Sequence, residues 1–406
     1  MPTGADTLDV TSTSGWQVGD QILIQVTETA AWIQYMGMDT LWRNGAQQTW
    51  INAGSIITTE RTITAIDGNQ ITLDAPISDS INSNLQPGAY VEEYTSSVIS
   101  QVGVQNMQIL AEGPAQSVAG GGDEVVAFQG ITNSWIQNLN TKDTFNTIEI
   151  NDNTSKITVQ NVNITHSAIV SGDDAPADFA VNGASEQILF TNLTITGNQD
   201  WYFTEGGGVT GPIVLMDSTF TGNGAVEPHQ RWNTGLLIDN VQVIGGTIQL
   251  IDRGTAGSGQ GQSAGASVIW NSSATAGITV QNPPGTETWS IGDTGSINTY
   301  GEPGGDGTAE PMGILYSPGV AISGIPSLYE AQLAQRLANN TLPTGWTNQD
   351  IGGPEAIGTS GYNHTTEVWT INGSGADIYG TSDQFQFDSE SVSGNAVISA
   401  EVDSQI

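Results

Sequence analysis

The chain has 406 residues, no cysteine, only seven lysines and arginines, and no apolar run long enough to cross a bilayer. Without cysteine there is neither a disulfide framework nor a zinc–thiolate site. Without lysine and arginine there is little to neutralise phosphate, which excludes nucleic acid as a partner. An anionic membrane surface is excluded on the same ground, and the missing apolar run excludes a spanning helix. Asp and Glu number 42, so the formal net charge of −35 comes from absent bases rather than surplus acids. Charged residues total 12%, about half the usual share. The opening Met1-Pro-Thr-Gly4 carries neither the basic nor the apolar segment of a leader peptide.

What is present is glycine, 51 of it, with much Asn, Thr, Ser and Gln. With 37% hydrophobic residues and 11 Trp the chain can build a core, so it is not a disordered polymer. The composition points to an all-β protein with a polar, uncharged exterior.

The first part reads as short strands. Arg61–Ile66 and Ile71–Ala75 flank an Asp67-Gly68 turn, a hairpin pattern. Between residues 31 and 55 lie Trp32, Tyr35, Met36, Met38, Trp42 and Trp50, a long aromatic insertion that is either a cap packed on a core or part of a binding wall. From about residue 99 the chain repeats a unit of apolar, any, Asn, apolar, any, apolar. Its marked position falls at Asn106, Asn138, Asn161, Asn192, Ser218, Asn240 and Asn271, with spacings of 32, 23, 31, 26, 22 and 31. Coils of this length, alternating with period 2, predict a stack of short parallel strands. Aliphatic side chains then pile inside, and Asn takes the left-handed conformation at a bend. Stacked Asn amides bond from coil to coil.

This pattern resembles the parallel β-helix of the pectin-lyase-like superfamily over about residues 60–330. The resemblance implies an all-β, right-handed parallel β-helix: an N-terminal β cap and first coils over 1–98, and the helix proper over 99–326. Ser327-Leu-Tyr-Glu330 is a capping box, and predicts a helix that closes the solenoid before a linker to 362. Residues 363–406 alternate again and resemble the opening of a concanavalin-like β-sandwich, too short to complete one. The chain is therefore expected to be a piece of a longer, secreted or cell-surface protein.

The seven basic residues make one segment stand out. Glu227-Pro-His-Gln-Arg-Trp232 is followed by Ile251-Asp-Arg-Gly254, so His229, one of three histidines, lies beside Arg231 and close in the repeat to Arg253. Two guanidinium groups can clamp a sugar carboxylate or sulfate. His229 can act as base or acid, and Trp232 can stack on a sugar, with Glu227 and Asp252 completing the substrate contacts. The alternative is structural, with the arginines paired to Asp239, Asp252 or Glu227 between coils. The segment resembles a group of secreted bacterial pectate-lyase-like proteins with His-x-Arg-Trp-x-x-Gly-Leu-Leu, Arg-Gly and Gly-Ser-Gly-His-Gly-Trp. His229, Arg231, Trp232, Gly235, Leu236, Leu237, Arg253, Gly254 and Gly257-Ser-Gly259 match, whereas Gln260-Gly-Gln262 replaces His-Gly-Trp.

Acidic residues form a second pattern. Glu149, Asp178, Glu205 and Glu227 precede the marked position of their coil by 12, 14, 13 and 13 residues, and so predict a column of carboxylates about 5 Å apart. Ca²⁺ would relieve its repulsion, with Asp174, Asp178 and Glu205 as ligands. Use as an acid/base pair would do the same. His166 reads as a turn residue and His364 as a linker residue. Two functions follow. One is an enzyme on an acidic polysaccharide, a lyase with Arg231 or Arg253 neutralising the uronate and His229 as base, or a hydrolase using two carboxylates. The other is a non-catalytic β-helix for glycan binding, adhesion or tailspike-like recognition.

Overall fold

The computed structural model describes residues 1–47, 50–95, 97–111, 124–167, 176–298, 310–339, 342–354, 358–363, 368–373, 375, 383–394 and 400. The chain forms two compact units, Met1–Ser327 and Leu328–Ile406.

The first unit begins with a five-stranded antiparallel sheet, in the order Thr7–Asp9, Gln70–Leu73, Ile56–Asp67, Gln21–Thr27, Tyr90–Glu93. The Asp-Gly hairpin forms as predicted, with Asp67 opposite Gln70 and Gly68 at φ 61°. Period-2 alternation buries Ile22, Ile24, Ile63, Ile71 and Leu73 on one face. The aromatic insertion opens with a short helix, Ala30–Tyr35, whose N-cap Thr29 accepts the Trp32 N–H. Its Trp32, Met36 and Met38 pack with Leu41 and Trp50 into a second buried cluster.

From Ile99 the chain winds as a parallel β-helix, its strands paired in register with those one coil away. A coil runs along a first row, turns, runs along a second row, turns again, and follows a third. Ile131–Lys142, Thr154–Thr165 and Ser185–Thr196 cover the first two rows of successive coils. Asn146–Asn151, Ala177–Val181, Trp201–Glu205 and Ala225–Pro228 form the third. Ile136, Val159, Phe190, Leu215, Ile238 and Ile269 stack in register as one interior column, fully buried. Apolar area leaves water coil by coil, which is what holds a solenoid together.

The marked Asn position is the bend between the first and second rows. Asn106, Asn138, Asn161, Asn192, Asp217, Asn240 and Asn271 all have positive φ, between 45° and 58°. Asn138 donates its amide to Asn106 at 3.0 Å, Asn161 to Asn138 at 3.2 Å, and Asn240 to Asp217 at 2.6 Å. In one coil the register departs from the sequence reading: Asp217, not Ser218, takes the left-handed place. Ser218 faces the interior, where its hydroxyl accepts the Leu193 N–H and donates to the Met216 carbonyl. Ser134, Ser267 and Ser272 repeat this device with Val102, Leu236 and Val241. A hydroxyl thereby takes the backbone N–H that the bend leaves without a strand carbonyl.

The N-terminal sheet lies along the flank of the solenoid, against the first row, rather than over its end. Arg61 is buried and ion-paired with Glu186, and it donates to the Gly211 carbonyl at 2.8 Å. Lys156 reaches Asp74 at 3.3 Å, and Ser78 bonds Thr234 at 2.8 Å. Two of the seven basic residues thus hold the sheet to the coils.

In the second unit the predicted helix forms as Leu328–Asn339. Two antiparallel pairs follow, Trp346–Ile351 with Phe385–Glu390 and Thr359–Asn363 with Val368–Asn372. Trp369 packs between Trp346 and Tyr362 at 4.6 and 5.2 Å. Of the alternating stretch expected over 363–406, residues 395–399 and 401–406 lie outside the described residues.

Candidate functional site

At the bend from third row back to first, the chain reads Pro228-His-Gln-Arg-Trp-Asn233. The corresponding stretch one coil later is drawn out into a loop, residues 252–262, that folds back over it. The loop is held at its base by Asp252, whose Oδ1 accepts the Gly254 N–H at 2.7 Å and whose Oδ2 accepts the Gln262 amide at 3.4 Å. Backbone bonds tie it to the bend: Arg231 N–H to the Gln260 carbonyl and Trp232 N–H to the Gln262 carbonyl, both at 2.9 Å.

The loop brings Arg253 onto Glu227, an ion pair that is four-fifths or more buried. Arg253 Nε also donates to Gln260 Oε1 at 2.6 Å, and Gln260 Nε2 lies 2.7 Å from His229 Nε2. An amide nitrogen can only donate, so His229 Nε2 accepts and the ring proton sits on Nδ1. Burial, and then the nearby Arg231, push the His229 pKa down, which holds the imidazole neutral. Trp201 walls the cluster, edge-on to His229 at 4.5 Å, with the Arg253 guanidinium 5.9 Å from its ring centre. Arg231 donates to Ser258 Oγ at 2.6 Å. Among the described residues no carboxylate lies within ion-pair distance of it.

His229, Arg231, Arg253 and Glu227 therefore converge, as the clustering of scarce bases suggested. Three other expected residues do not. Trp232 is buried, donates its indole N–H to Asp79 at 2.9 Å, and packs against Trp32 and Trp50 at 5.6 and 6.3 Å. It cannot stack on a sugar, because Trp32, Trp50 and Asp79 already cover it. Asp252 is buried and occupied in holding the loop. Glu205 follows the interior Phe203 by two places and stands in register with the interior Val181, so alternation turns its side chain inward. Among the described residues neither oxygen has a hydrogen-bond partner, and burial pushes its pKa up to about 8.

The carboxylate column does not form. In the third row, Glu149, Ala180, Thr204 and Glu227 share one register position, while Asp178 and Glu205 occupy others. Loops of different length make equal offsets in sequence unequal in space, and one residue of slip reverses a side chain. Asp178 lies in a buried network instead, with both oxygens 3.0 Å from His166 Nε2 and Oδ1 accepting from Thr147. Burial lowers the His166 pKa, but Asp178 outweighs it and the net shift is upward. His166 is thus an interior residue rather than a simple turn residue. Asp174 and His364 lie outside the described residues, and among those described no three acidic or histidine side chains are disposed to hold a metal.

Sequence reasoning missed Trp201, which carries no spacing signal. It marked Gln260 only as a departure from a motif, whereas Gln260 is the bridge between Arg253 and His229.

No family model and no curated protein matches the chain. Among solved structures it is similar to the Gp54 tailspike of Acinetobacter baumannii bacteriophage AP22 in complex with A. baumannii capsular saccharide. Identity is 12%, coverage 97% of this chain and 80% of that one, and the TM-score 0.32. The Pseudomonas phage phi297 tailspike gp61 follows at 10% identity, 97% and 77% coverage, and TM-score 0.25. The catalytic domain of a GH87 alpha-1,3-glucanase in complex with nigerose is 11% identical over 79% of this chain and 88% of that chain, TM-score 0.23. The parallel β-helix rests on the strand register of this chain itself.

Proposed function

We propose that this chain is a polysaccharide-active β-helix protein that acts outside the cell. Its corner around Trp201, His229, Arg231 and Arg253 takes an acidic sugar. One observation carries this: in a chain of net charge −35, Arg231 is a half-exposed guanidinium whose partner is a neutral hydroxyl. Arg253 and Glu227 cancel and His229 is neutral, so Arg231 is the corner's cation with no carboxylate at ion-pair distance among the described residues. A uronate or sulfate would displace Ser258 and gain a charge-assisted, bidentate pair.

Recognition is the reading the geometry supports first. A lyase of the pectin-lyase-like kind is the second, favoured by the lowered His229 pKa, which provides the base form. For elimination, Arg231 would neutralise the uronate and His229 Nε2 would take the C5 proton, after Gln260 releases that nitrogen; the C4–O bond breaks as the C4=C5 double bond forms, and the leaving oxygen takes a proton from water. A two-carboxylate hydrolase draws no support from Glu205, which faces the core, or from Glu227, which Arg253 holds. Calcium draws none from Asp178 and Glu205; its place in this reading is to screen the net charge.

Binding of polygalacturonate, alginate and a neutral glucan to wild type and Arg231→Ala, with ultraviolet absorbance of the products, tests the reading. Retention on an acidic polymer that Arg231→Ala loses is expected. Absence of binding to every acidic polymer overturns it, and an ultraviolet signal lost in His229→Ala selects the lyase.

A further inference from the structure

The bend from third row to first turns through positive φ in successive coils: Gly130 at 65°, Asn153 at 59°, Gly183 at 58° and Gly208 at 82°. The next coil makes the same bend with Arg231 at 58° and Trp232 at 63°. Glycine and asparagine tolerate the left-handed region, and bulky side chains are strained there. Strain of this kind persists only where the surroundings over-determine it, and it gathers at functional positions.

The surroundings here come from the N-terminal cap segment, residues 30–79. Trp32 and Trp50 meet the Trp232 ring edge to face, and Asp79 accepts its indole N–H. The pocket has no slack. A Cβ on Gly265 would come within 2.8 Å of the Trp232 ring, and one on Gly261 within 2.4 Å of Trp50. Trp232 therefore cannot turn without lifting the N-terminal cap segment from the coils. Its backbone, so held, constrains the residue before it. Arg231 passes Gly207, where a Cβ would sit 2.8 Å from its own, and reaches Ser258.

We propose that Trp232 is a positioning residue: the N-terminal cap segment clamps it through Trp32, Trp50 and Asp79, and this clamp aims the Arg231 guanidinium at the outer face. The consequence for ligand binding rests on the reading that Arg231 meets a sugar carboxylate; the aiming of Arg231 does not. A long-range role for the aromatic insertion and the Asp79 segment follows, since they set the direction of a cation they do not touch.

The chain has few arginines, Arg43, Arg61, Arg231, Arg253 and Arg336, so their Nε–Hε resonances can be assigned one by one in the full chain. In Asp79→Leu, which removes the acceptor, the Arg231 signal is expected to shift and its proton to exchange roughly tenfold faster. The Arg253 signal, held by Gln260 and Glu227, should stay. Asp79→Asn keeps an oxygen for the indole and should restore the wild-type Arg231 signal. A polygalacturonate hexamer should bind Asp79→Leu roughly tenfold more weakly and Asp79→Asn as wild type. An unmoved Arg231 signal in folded Asp79→Leu overturns the proposal. Should Asp79→Leu fail to fold, Trp50→Phe answers the same question, with a shift at Arg231 expected and its absence decisive. If Arg231 moves but wild type binds no hexamer, the sugar reading falls while the positioning role stands.

Discussion

At the bend marked by Asn161, six coils turn left-handed on Asn and one on Asp, and Asn138, Asn161 and Asn240 each donate to the side chain one coil below. At the bend that ends in Trp232, four coils turn on glycine or asparagine, and then one turns on an arginine and a tryptophan. The first bend repeats because the same physical problem recurs at each coil and the same residue solves it. The second breaks its pattern at the one place where Arg231, His229, Arg253 and Trp201 meet. Regularity in this solenoid serves the stack, and the departure from it marks the candidate site. Glu227 and Glu205 make the same contrast in miniature. They lie on neighbouring strands, yet one faces out and pairs with Arg253 while the other faces in and pairs with nothing.

Breaking the irregular bend should have the largest effect. Trp232→Ala removes a buried ring shared by the aromatic insertion and the solenoid, and is expected to cost about 3–5 kcal/mol in chemical denaturation. Loss of less than about 1 kcal/mol would show that the seam does not depend on it. The interior carboxyl comes next. Burial pushes Glu28 and Glu205 to about 8, with Asp79 adding to the shift of Glu28, and burial pushes Asp293 to about 7. Each keeps its proton in the folded chain at a pH where the unfolded chain, with values near 4, has lost it. The folded state then binds more protons, so stability should be greatest at the acid end and fall as pH rises from about 4 to 8. A flat or rising profile over that range would contradict the burial of these groups. Glu205→Leu should shallow the slope and raise stability at pH 8 by about 2–4 kcal/mol, since the lost proton no longer has to be bound in the core.

Smaller effects separate the two bends. Asn161→Ala forces a Cβ-bearing residue without a ladder amide into the left-handed region, and should cost about 1–2 kcal/mol with no change in glycan binding. Arg231→Gly should do the reverse, relieving strain and leaving stability unchanged or raised by up to about 1 kcal/mol while binding is lost. If Asn161→Ala weakened binding as much as Arg231→Gly, the division between a structural and a functional bend would fail.

Much of this was legible along the chain. The parallel β-helix follows from a repeat of period-2 strands, because stacking in register requires the same pattern in each coil. The left-handed Asn follows from its side chain, and the candidate corner from the scarcity of bases, which makes His229, Arg231 and Arg253 conspicuous. Inward or outward orientation was less secure. Asp217 and Ser218 exchange roles through a one-residue shift, and the same sensitivity dissolves the expected column of Glu149, Asp178, Glu205 and Glu227. Loop lengths set where each strand starts, and spacing alone does not reveal them.

The sequence by itself determined the repeat, the polar bends and the few cations from which a site could be made, because these depend on local chemistry. Tertiary structure alone decided that Trp232 belongs to a clamp rather than a sugar platform, since Trp32, Trp50 and Asp79 reach it from more than 150 residues away. It also decided that Gln260 joins Arg253 to His229, that His166 pairs with Asp178, and that Glu205 is buried with its proton. Each of these depends on which loop folds over which coil, and that is settled by packing between segments far apart in the chain.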